Sequence, residues 1–149
     1  MAQIEYRFLS ATPHVSATAA YVPVGDPSLP RKTRIPLGQY PYLRGLGLDW
    51  IDRYDEAVVD EADAFVTGHL DGIDAERAGH DLSVYLCDWA VANDDAAQWV
   101  LWPKGTCYVE LGGDLLDPYP HVVTCIADRQ PVARRFVDKA RELSAKPPT

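Results

Sequence analysis

Within ten residues, the run from Gly79 to Asp88 places an imidazole (His80), two carboxylates (Asp81 and Asp88) and a thiol (Cys87). Those are the parts of a nucleophilic site: a thiolate to attack, a base to activate it and an acid to orient the base. The spacing argues against assembly on a strand. There Asp81 and Cys87 share one face while His80 and Asp88 point to the other, which separates nucleophile from base. No glycine pattern of a nucleophile elbow flanks Cys87. Buried structural cysteine is the commoner fate of such a residue. Two alternatives are a small enzyme with a pocket near His80, Asp81 and Cys87, and a small-ligand-binding domain that uses the curved sheet under the C-terminal helix.

Metal and phosphate chemistry find less support. His14, His69, His80 and His121 have Asp71, Asp81, Asp114 and Asp117 nearby, but none forms HxxxH, HExxH or an aspartate-rich calcium loop. Gly45-Leu46-Gly47 and Gly112-Gly113 lack the spacing of a phosphate-cradling loop. No cofactor, metal or catalytic residue is therefore expected.

The strongest pattern is acidic. From Asp49 to Asp95 there are fourteen acids against two bases, Arg53 and Arg77, so this stretch carries −12 while the remainder carries +4. Asp49, Asp52, Glu56, Asp60 and Asp63 recur at helical spacing, a row roughly 20 Å long at about 1.5 Å per residue. Solvated helix faces usually interleave both signs; this one does not. Carboxylates in such a row can imitate phosphate charge and dock on a cationic partner. The plainer reading is a solvated face that keeps the protein soluble.

These residues need elements to hold them. Alternation predicts strands over Gln3–Leu9 and, interrupted by Pro23, Thr18–Val24. Residues 13–48 read as a proline-rich irregular connection carrying the basic cluster Arg31, Lys32 and Arg34. A helix is expected over Asp49–Thr67, capped by Asp49, stopped by Gly68 and burying Ile51, Tyr54, Val58, Ala62 and Phe65. A short helix over Asp71–Gly79 precedes a strand over Leu82–Val91, where β-propensity decides what periodicity leaves open. Asn93-Asp94-Asp95 is a turn. Gln98–Trp102 and Cys107–Leu111 form a hairpin around Pro103-Lys104-Gly105-Thr106. Leu115–Tyr119 is a loop, and His121–Ala127 a buried strand. A last helix spans Arg129–Lys146 with Asp128 as cap, leaving 147–149 as a tail.

The sum is one α+β domain over residues 1–149: a mainly antiparallel sheet of four to five strands, with an acidic central helix and a C-terminal helix packed on one face. Length and an apolar fraction of 47% suffice for a core without staples. Three widely spaced cysteines, Cys87, Cys107 and Cys125, suggest reduced thiols. No secretory or membrane-spanning pattern is read, so a cytoplasmic protein is expected.

The function expected from this is a non-catalytic acidic binding protein, an inhibitor or immunity-type partner that caps a basic surface on a toxin or nucleic-acid-acting enzyme. Asp52, Glu56, Asp60 and Asp63 would supply charge, the Asp94–Asp95 turn the rim and Trp99 an aromatic anchor. Direct nucleic-acid binding is disfavoured, because no broad basic field accompanies the aromatics.

Overall fold

The computed structural model describes residues 31–101, 107–111 and 113–145. The expected strands Gln3–Leu9 and Thr18–Val24, the loop Pro103–Thr106, Trp102 and the 147–149 tail lie outside the described residues. Among those described, four strands form an antiparallel meander in the order β1 (Arg31–Thr33), β2 (Gln98–Leu101), β3 (Cys107–Leu111) and β4 (Asp114–Leu116). Five helices accompany it: α1 (Pro41–Gly45), α2 (Glu56–Gly68), α3 (Ala75–Asn93), α4 (Tyr119–Asp128) and α5 (Ala133–Ser144). The α+β class and the antiparallel sheet stand as expected.

The β2–β3 hairpin holds the register Trp99↔Val109 and Leu101↔Cys107. Alternation sends Trp99, Leu101, Val109 and Leu111 into the helix-facing core, where Leu116 of β4 joins them. The β3–β4 turn needs a left-handed residue and has Gly113 there, at φ 84°. Two expectations change at the two edges of the sheet. The segment 115–119 is not simply a loop, because Asp114–Leu116 pairs with β3. The proline-rich connection is not irregular throughout, since it contributes β1 and α1.

The largest correction is the centre of the molecule. Residues 82–91 are not a strand but the second half of α3, continuous with the short helix expected before them. Asp74 caps it, its side chain accepting from the Arg77 N–H at 3.2 Å. Its buried residues run unbroken from Leu82 to Val91. A helix enclosed on all sides has no polar stripe, so its periodicity is flat and propensity becomes a poor guide. α3 packs on α1, α4 and α5 and on strands β2 and β3.

Three further boundaries move. The helix expected from Asp49 begins at Glu56; Asp55 is its cap, accepting from the Val58 N–H at 3.1 Å, while Asp49 to Asp52 form turns. His121–Ala127 belongs to helix α4, whose buried face of His121, Val122, Cys125 and Ile126 resembles a continuous apolar run. Asp128 ends α4 instead of capping α5: Arg129 adopts the left-handed conformation at φ 56°. α5 starts at Ala133, and its cap comes from another helix. The Asp63 carboxylate of α2 accepts the N–H groups of Val132 (2.7 Å), Ala133 (2.6 Å) and Arg134 (2.9 Å). A carboxylate at a helix N-terminus both satisfies orphan donors and opposes the positive end of the dipole.

Candidate functional site

Because 82–91 is helical, Asp81 and Asp88 stand two turns apart on one side of α3. Both are buried; Asp88 binds the backbone of the segment that leads into α1, and Asp81 binds the backbone of α1 itself. Asp88 accepts the N–H groups of Leu37 and Gly38, each at 2.9 Å, and the Trp99 indole N–H at 2.6 Å. Burial pushes its carboxyl up to about 6, against the opposing pull of those donors. Asp81 Oδ2 accepts the N–H groups of Tyr42 (2.7 Å) and Leu43 (3.1 Å), capping α1, which has no side-chain cap of its own. Burial raises its carboxyl as well. Tyr40, Trp50, Tyr54 and Tyr85 pack beside this tether, with ring centroids 5.2 to 5.5 Å apart.

The tether creates an open groove of about 630 Å³ between α1 and the first half of α3. Pro41, Tyr42, Gly45 and Leu46 line one side; Arg77, His80 and Asp81 line the other. The Tyr42 hydroxyl accepts the Asp74 N–H at 2.7 Å, which fixes that wall to the start of α3. His80 Nε2 is 3.0 Å from the Tyr119 hydroxyl, and the two rings lie 4.4 Å apart. His80 Nδ1 is buried without a hydrogen-bond partner among the described residues. Arg77 is exposed, and Leu46 presents apolar surface.

His80 and Asp81 thus share a groove, and Cys87 does not join them. It is buried in the core and is no part of the lining. A second thiol–imidazole pair, Cys125 Sγ and His121 Nε2 at 3.4 Å, is buried inside α4. Its i,i+4 spacing was legible in the sequence, but its place is the core. Among the described residues no group of three or more His, Cys, Asp or Glu is arranged to hold a metal ion, and no helix is long and apolar enough to cross a membrane.

The acidic row has a different environment from the one expected. Asp52 pairs with Arg44. Glu56 is held by Arg134 at 2.8 Å and by Arg141, and Asp60 by Arg134 at 3.3 Å. The Arg141 and Arg134 guanidiniums hold the Glu56 carboxyl down at about 2. Asp63 caps α5, as described. The surplus of bases in the C-terminal third is therefore turned back onto the surplus of acids in the middle third. Arg34 of the basic cluster is also engaged. Its guanidinium donates to the carbonyls of Val91 (3.3 Å), Asp94 (2.8 Å) and Ala97 (2.7 Å) at the C-terminal end of α3, a helix with no base in its own last turn.

At the turn, the Asp94 side chain accepts the Ala96 N–H at 2.8 Å, and Asp95 is exposed, 3.7 Å from Arg34. Trp99 is only 2% exposed and donates to Asp88, so it is a core residue and not a surface anchor. The pairing reverses the meaning of a charge-reversal experiment. Glu56→Lys sets a third cation against Arg134 and Arg141. The expected result is a loss of about 1 kcal/mol in urea unfolding at low salt, shrinking at high salt. Unchanged stability at low salt would show these pairs to be idle.

No protein-family model, curated protein or solved structure matches the chain.

Proposed function

We propose that the protein is a non-catalytic binding domain that receives a small organic ligand in the groove between α1 and the first half of α3. The observation that carries this reading is the groove itself. Its volume of about 630 Å³ lies within the usual range of small-molecule sites, roughly 300–1,000 Å³. Its walls are mainly apolar, and its few polar groups converge from one helix. The groove is also preformed. Two buried carboxylates on α3 fix the α1 side by its backbone, so ordering α1 is not left to the moment of binding. His80 and Asp81 already have partners in Tyr119 and the α1 amides, which suits them to shaping a site more than to transferring protons.

The reading raised by net charge, an inhibitor or immunity-type protein that caps a basic toxin or nuclease, has less geometric support. A cationic partner at Asp52, Glu56 and Asp60 would have to displace Arg44, Arg134 and Arg141 from them. The exposed Asp95 remains available to it only after competing with Arg34.

A fragment screen by ligand-detected NMR separates the two. Leu46 is part-exposed, so Leu46→Glu should fold normally while placing a bulky charge on the apolar wall. Hits against the natural protein should be lost with Leu46→Glu and retained with Glu56→Gln. Hits that survive Leu46→Glu unchanged, or an absence of hits, would remove the groove as the binding site.

A further inference from the structure

We infer that the groove takes a small apolar zwitterion of the α-amino acid type, its ammonium on Asp81 and its carboxylate on Arg77; the inference rests on the groove being a ligand site. Arg77 and Asp81 are four residues apart on α3, with Cβ atoms about 5–6 Å apart at that spacing. Opposite charges so placed ordinarily pair with each other. Here they form no ion pair, and the cause is visible. Asp81 Oδ2 is committed to the Tyr42 and Leu43 amides, which turns the carboxylate toward α1. Its Oδ1 receives neither amide. Arg77 leans the other way, reaching Asp74 only through Nε at 3.6 Å, with 71% of its side chain exposed. Its guanidinium makes no hydrogen bond among the described residues.

The groove therefore offers one negative and one positive group one helical turn apart, beside the apolar surfaces of Pro41, Tyr42 and Leu46. A simple amine would answer Asp81 and leave Arg77 with only its exposed contact to Asp74. A simple carboxylate would answer Arg77 and bring a second negative charge near Asp81. A molecule carrying both charges on groups attached to one carbon answers both, and an apolar side chain completes the fit. Arg77 can meet a carboxylate through two parallel N–H donors. The buried setting of Asp81 strengthens its hydrogen bond to an ammonium relative to water.

Three probes test this by calorimetric titration: L-phenylalanine, N-acetyl-L-phenylalanine, which lacks the ammonium, and L-phenylalaninamide, which lacks the carboxylate. L-Phenylalanine should bind about ten-fold or more tightly than the N-acetyl form, which loses a charged hydrogen bond to the buried Asp81, and roughly three-fold more tightly than L-phenylalaninamide, which loses only a contact with the exposed Arg77. Arg77→Met should fold with an unchanged thermal midpoint and lose the preference over L-phenylalaninamide alone, keeping the preference over the N-acetyl form. Equal affinity for all three probes, tighter binding of either derivative, or no binding of any probe while other fragments still occupy the groove would overturn the zwitterion and leave the groove standing. Failure of every fragment, by contrast, removes the groove as well.

Discussion

Asp88→Ala lowers the stability of the protein by about 2–4 kcal/mol and loosens the entry to α1. Asp88 is fully buried, and its carboxylate is the common acceptor for the Leu37 and Gly38 amides and the Trp99 indole. Alanine leaves the buried Trp99 indole and the part-buried Leu37 and Gly38 amides without that partner, and each orphan closed to water costs roughly 1–3 kcal/mol. The loss is smaller than their sum, because the variant also relieves a desolvated charge. Asp88→Asn keeps the shape but turns an amide N–H₂ toward donors, so it should fall between the two. Urea unfolding gives the values. Amide exchange at Leu37 and Gly38 should accelerate in Asp88→Ala well before global unfolding. An alanine variant within about 0.5 kcal/mol of the natural protein would deny Asp88 this role.

The second large effect is on pH. Asp88 has its carboxyl raised from an ordinary 3.8 to about 6. The folded protein then holds a proton that the unfolded chain releases. The stability this contributes is fully present below about 4 and is lost as pH rises through about 6. Its full amplitude is roughly 3 kcal/mol, about two units at 1.4 kcal/mol each. By pH 5 the gain over pH 7.5 is on the order of 1 kcal/mol. Asp81, also raised, acts in the same direction. Glu56 acts oppositely but elsewhere. Held at about 2, it contributes above its ordinary 4.5 and is lost only as pH falls through about 2. The urea midpoint should therefore rise as pH falls from about 7.5 to about 5, and Asp88→Asn should flatten the slope. A midpoint that falls over this window would contradict the assignment.

Both effects come from residues whose types were visible in the sequence and whose roles were not. The apolar stripe of α2 was legible because a half-buried element carries its period openly, and the β2–β3 hairpin because two short apolar runs flank a Pro-Lys-Gly-Thr sequence; together they made the α+β class legible. α3 was not. From Leu82 to Val91 it is buried on every side, so Val84, Tyr85 and Trp89 read as a strand by propensity. That one error hid the site. On a strand, Asp81 and Asp88 point to opposite faces and Arg77 belongs to another element. On a helix, Arg77, Asp81 and Asp88 line up at steps of four and seven, and the tether and the groove wall follow. The acidic row was read correctly as a row over Glu56, Asp60 and Asp63. Its counter-ions were beyond reach, since Arg134 and Arg141 lie more than seventy residues away in the chain. Charge imbalance along a sequence says where acids are dense, while only the fold says which cations face them.

The decisive measurement is an amide-resolved NMR titration of the natural protein with a fragment that binds it. Signals of residues 42–46 and 77–81 should move together and saturate at one affinity, while those of Glu56, Asp60 and the Asp94–Asp95 turn stay in place. Movement confined to the acidic helix and that turn, with the groove signals silent, would contradict the assignment of binding to the space between α1 and α3.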